Sequence, residues 1–77
     1  MLWANMRKGF FEVFRENEDG SLTPLGTIKI GGVMLGAGSV KFTRGVIFAG
    51  INIFDFYGRD IEAKEENGMV EIEGFYQ

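Results

Sequence analysis

Four carboxylates near the carboxyl end, Asp60, Glu62, Glu71 and Glu73, come nearest in type and spacing to a reactive centre. Each pair is two residues apart, so on paired strands all four share one face. Oxygen ligands grouped this way can hold calcium, and neighbouring carboxylates can divide acid and base roles. The spacing of an EF-hand loop is missing, however, and Lys64 sits within the same group. A mixed set like this is what a solvated or edge-protecting strand face carries. The four acids are weak metal candidates, calcium binding stays an alternative, and no cofactor is expected.

Other chemistry is thin. The chain has no histidine and no cysteine, which removes an imidazole base, a thiolate nucleophile, ordinary structural zinc and any disulfide. Its two serines, Ser21 and Ser39, fall in turn-like contexts. The glycine-rich stretch Gly31 to Ser39 resembles a phosphate loop only loosely. Such loops aim backbone N–H groups from a helix amino terminus, and this one runs into the strand-like Val40 to Thr43. The reading is that the chain is not an enzyme. Lys29, Lys41, Arg15 and Arg44, with Phe10, Phe14 and Phe48, would suit a single-stranded nucleic acid. A pI near 4.8 and the lack of a dense basic stripe count against that alternative.

The elements that must carry these residues are short. Seventy-seven residues make one domain, and twelve glycines against one proline point to tight turns and kinked strands. Asp19-Gly20, Arg44-Gly45 and Asn67-Gly68 each separate two strand-like runs, as in hairpins. A two-residue loop at Asn67-Gly68 sets Lys64 opposite Glu71, Ala63 opposite Ile72 and Ile61 opposite Gly74. It also sets Glu62 against Glu73, an unfavourable like-charge pair. Around Asp19-Gly20 one face collects Phe11, Val13, Leu22 and Ile28, and the other Phe10, Phe14 and Leu25. Asp60 to Asn67 has helix-like ends but is only two turns long, so strand is preferred there. The expected fold is all-β, a small antiparallel barrel or sandwich of five to six strands in hairpin or meander order. Residues 1–8 form an amino-terminal segment with a possible lid role, and residues 9–77 the β domain.

Val46 to Phe54, VIFAGINIF, has almost nothing polar on either face if it is a strand. Both faces would then need cover, and one small interior covers only one. The outward set would keep Phe10, Phe14, Leu25, Phe48 and Phe54 on an aromatic face, which marks an interface when contiguous. The functional expectation is therefore protein–protein association through those five residues. Self-association, a dimer by default, is favoured, with another protein as the other partner. Leu2, Trp3 and Met6 could instead fold over that face as a lid. Charge is uneven as well. Met1 to Arg44 carries six basic and four acidic residues (+2), and Gly45 to Gln77 two basic and seven acidic (−5), which gives −3 overall. The start MLWANMRKG has the wrong order for a secretory signal, and no apolar run spans a bilayer, so a cytoplasmic setting is expected.

Overall fold

The structure, a computed structural model, describes residues 5–77. Seven strands, one helical turn and one 3-10 turn make up its regular structure. Strands β1 (Asn5–Lys8), β4 (Thr27–Ile30), β5 (Val33–Leu35), β6 (Ile61–Glu66) and β7 (Met69–Phe75) form a five-stranded sheet in the order β1-β6-β7-β4-β5. Strands β2 (Phe14–Glu16) and β3 (Leu22–Pro24) form a separate two-stranded sheet. The all-β expectation holds. The sheet is mixed rather than antiparallel throughout, because β4 and β7 run parallel, and it is open rather than closed into a barrel. It is not a simple meander either, since a long connection, residues 36–60, separates β5 from β6.

The last hairpin follows directly from its sequence. Asn67 and Gly68 take φ of 53° and 79°, the left-handed pair that a two-residue primed turn requires. Lys64 lies opposite Glu71 and Ala63 opposite Ile72, as the loop length demands. Beyond that point the ladder slips. Glu62 pairs with Gly74 and Ile61 with Phe75, so Glu73 becomes an extra residue on β7. The bulge separates two carboxylates that a regular ladder would oppose, and Glu73 turns to Lys64 at 3.6 Å.

The first hairpin is displaced by one residue from its expected register. Asn17 N–H donates to Ser21 O and Gly20 N–H to Asn17 O, with Gly20 at φ 87°. This is a three-residue loop ending in a left-handed glycine, so Asp19-Gly20 is not the centre of a two-residue turn. A slip of one residue exchanges the faces of a strand. Phe14 therefore lies opposite Pro24, on the same side as Leu22, and all three are buried. Ahead of it, Phe10–Val13 form a single turn of helix, α1, begun by Gly9, whose N–H donates to Glu12 Oε2 at 2.7 Å. Helical spacing turns Phe10 and Val13 inward together and leaves Phe11 and Glu12 outside.

The VIFAGINIF run is not a strand. Ala49 and Gly50 both take positive φ, and only Phe48 and Ile51 pair across them, through two hydrogen bonds of 2.7 and 2.8 Å. Asn52 then ends the extended chain, its Oδ1 accepting from Phe54 N–H at 3.1 Å to start the 3-10 turn Ile53–Phe56. Arg44-Gly45 lies in a turn closed by Val46 N–H to Thr43 O, and nearby Phe42 forms an isolated bridge to Leu22. The connection drapes these residues over the sheet. Phe42 and Ile53 join Phe10, Phe14, Leu22, Ile28, Ile30, Ile61, Ala63 and Ile72 in one core, with Phe48, Ile51 and Phe54 packed against it. The run's apolar residues are thus covered in part by one core, while Val46 and Ile47 stay exposed.

The opposite sheet face is charged. Register places Lys29, Glu71 and Lys64 in adjacent positions across β4, β7 and β6. On β1, Arg7 pairs with Asp60 at 2.7 Å and lies over the Tyr76 ring. Residues 5–8 of the expected lid thus form an edge strand, from which Met6 packs on the core. Leu2 and Trp3 lie outside the described residues.

Candidate functional site

A row of side chains, exposed at Arg44, Tyr57 and Phe11 and half-buried at Phe54, runs from Arg44 through Phe54 and Tyr57 to Phe11. It is assembled by the two short helical turns. In a 3-10 turn residues three apart eclipse one another. Ile53 accordingly turns into the core and Phe56 stacks on Phe75, while half-buried Phe54 and exposed Tyr57 stack on each other, 6.1 Å apart and within 4° of parallel. The Arg44 guanidinium caps the row, 4.7 Å from the centre of the Phe54 ring. At the other end Phe11 meets Tyr57 edge-on at 5.6 Å. Buried Phe10 supports both, 5.2 Å from Phe11 and 5.6 Å from Tyr57. Phe11 is 51% exposed and Tyr57 40%.

Electrostatics fix the centre of this row. The Tyr57 hydroxyl donates to Glu16 on β2, which ties the end of the 3-10 turn to the first hairpin. That hydrogen bond, with some desolvation and the Glu16 charge, raises the Tyr57 pKa above its ordinary 10.0, and Arg44 opposes it. The Tyr57 hydroxyl therefore keeps its proton and remains a donor across the neutral range. Ring stacking, a cation over a ring face and a tethered hydroxyl hold the row in one arrangement.

The residues singled out from sequence are scattered. Phe10 and Phe14 lie in the core, 2% and 0% exposed, because the helical turn and the slipped register point them inward. Leu25 is exposed away from the row, its N–H bonded to Val13 O. Phe48 is half-buried against Phe42. Only Phe54 belongs to the row. Strand alternation groups Phe11 with Val13, Leu22 and Ile28 and gives Tyr57 no place in a strand, yet both are exposed members of the row. The signal for both was present in the three-residue offsets Phe10/Val13 and Phe54/Tyr57.

The basic and aromatic set does not gather either. Lys29 sits beside Glu71 on the charged sheet face, Lys41 reaches Asp19 at 3.7 Å, and Arg15 bonds Asn17. Among the described residues no three acidic side chains converge on a metal position. Asp60 is taken by Arg7 and Glu73 by Lys64, while Glu62 and Glu71 lie in the β6/β7 ladder. Ser21 Oγ donates to Asp19 and accepts from Asn17, and Ser39 Oγ donates to Gly36 O, so both hydroxyls close turns.

One apolar recess of about 370 Å³ opens between β4, β7 and the connection, lined by Ile30, Ile51, Phe56, Ile72 and Phe75. The Phe56 and Phe75 rings stack at 4.5 Å along it. Glu73 is its one ionisable lining residue, so it lacks the converging polar groups that orient a small ligand. No helix among the described residues is long and apolar enough to cross a membrane. The chain matches no known family model, no curated protein and no solved structure.

Proposed function

We propose that this chain is a non-catalytic β module that binds another protein through the row of Arg44, Phe54, Tyr57 and Phe11. The observation that supports this reading is the preset stacking of those side chains, of which Arg44, Tyr57 and Phe11 are exposed. Arginine, tyrosine and phenylalanine are enriched in protein interfaces, and arginine and tyrosine among the residues that carry binding energy. A row already locked by its own contacts loses little side-chain freedom on binding. Single-stranded nucleic acid is the poorer fit, because bases need open ring faces. Here Arg44 and Tyr57 both lie against the Phe54 ring, and the Tyr57 hydroxyl is taken by Glu16.

The test is affinity capture with wild-type protein beside Phe11→Ala and Tyr57→Ala. Both side chains are well exposed, so each variant is expected to keep its strand spectrum. A protein partner held by the wild type should be lost by both, with binding weakened by about thirtyfold or more for a hot-spot residue. Equal retention by all three proteins overturns the reading. Capture of an oligonucleotide that weakens steeply with salt would replace it with the nucleic-acid alternative.

A further inference from the structure

We infer that a second copy of this chain pairs with β5 across a twofold axis, joining two five-stranded sheets edge to edge. This contact lies apart from the ring row and does not depend on it. β5 ends the sheet, and no described strand lies on its outer side. Its outward N–H and C=O groups are therefore open to pairing. Proteins usually block such an edge with charge, proline or a bulge. The two edges of this sheet differ in just that respect. β1 carries Arg7 and Lys8, held by Asp60 and Glu65. β5 is Val33, Met34 and Leu35, and no charged residue occurs from Ile30 to Val40.

That contrast selects the occupant and the symmetry. Pairing β1 with its own copy would bring Arg7 and Lys8 toward the same cations. Pairing β1 with β5 is head to tail and leaves open edges at both ends, which favours filaments over a closed assembly. Pairing β5 with β5 antiparallel about Met34 closes after two copies and opposes no charges. In that register each Val33 faces a partner's Leu35 on the core side of the sheet, and the two Met34 side chains meet on the other. Directly opposed residues share a face, so the draped sides of both copies fall together. Met34, 61% exposed and set opposite Lys29 in the β4 ladder, would gain the most cover.

Sedimentation equilibrium on the whole chain tests the inference. The wild type should show a monomer–dimer equilibrium. Met34→Lys and Met34→Glu, opposite in charge, should each weaken it at least about tenfold with the strand spectrum unchanged. Ile47→Lys alters an equally exposed apolar residue outside β5 and should leave the dimer intact. A wild type that stays monomeric up to about 1 mM overturns the pairing, whatever the ring row binds. So does a dimer that survives both Met34 changes, or one that Ile47→Lys dissociates equally. If Met34 variants dissociate the dimer yet keep a partner that Tyr57→Ala loses, edge and row are separate surfaces.

Discussion

The Ala49-Gly50 and Asn67-Gly68 turns have nearly the same φ angles, 52° and 77° in the first and 53° and 79° in the second. One closes a long ladder between β6 and β7; the other closes a single bridge between Phe48 and Ile51. What differs is the flanking pattern. β6 and β7 place Ile61, Ala63 and Ile72 toward the core and charged residues between them, so each added pair buries one face and wets the other. The segments around Ala49-Gly50 have no polar side to give to water. Extending that ladder would bury one set of apolar residues by exposing another. Turn geometry permits a hairpin, and alternation decides whether it grows.

The largest expected effect breaks the strand reading of the apolar run outright. As a strand, Ile47 and Ile53 would share a face and matter equally. In the structure Ile53 is 1% exposed and Ile47 63%. Ile53→Ala should cost about 2–5 kcal/mol in urea unfolding, and Ile47→Ala should stay within about 0.5 kcal/mol of wild type. Equal losses would restore the strand.

A smaller effect concerns how the short turn is held. Gly31 has φ 58°, and a Cβ placed on it would lie 2.6 Å from the Ala49 Cβ. Gly31→Ala should therefore cost more than the roughly 1–2 kcal/mol of left-handed strain alone. Ala49→Gly removes the obstructing atom and relieves alanine's own strain, so it should stabilise the wild type slightly and recover part of the Gly31→Ala loss. A double-mutant cycle that adds without coupling would show that the two turns do not pack.

Legibility from sequence follows the same division. The Asn67-Gly68 register was readable because its flanks alternate, and the clash of Glu62 with Glu73 was readable as a problem. That a bulge would solve it was not, since a bulge at Glu73 has no local signature. The first hairpin differs by one residue from its sequence pattern because Asp19-Gly20 occurs both at the centre of a two-residue turn and at the end of a three-residue one. That single slip decides whether Phe14 faces the core or the solvent. The ring row was out of reach for a different reason. Its members come from residues 11, 44, 54 and 57, and their alignment depends on the phase of two helical turns only four residues long.

The Asp19 turn offers the gentlest test, because neither alternation nor glycine alone fixes its form. Asp19 Oδ1 accepts from Ser21 Oγ at 2.6 Å and from Ser21 N–H at 2.9 Å. The hydroxyl bond, then the N–H bond, with help from Lys41 and against a little desolvation, holds Asp19 below its ordinary 3.8. A carboxyl group whose folded pKa is depressed stabilises the fold fully above its unfolded value. That contribution fades as the pH drops through the folded value. Melting temperature should thus fall between about pH 5 and about pH 2 more steeply for the wild type than for Asp19→Asn, which keeps an acceptor but cannot titrate. At neutral pH the variant should be slightly the less stable, since an amide oxygen accepts more weakly than a carboxylate. Parallel melting curves across that range would mean that the loop keeps its three-residue form through Asn17 and Gly20 without the Asp19 charge, leaving the register to the burial of Phe14 and Leu22.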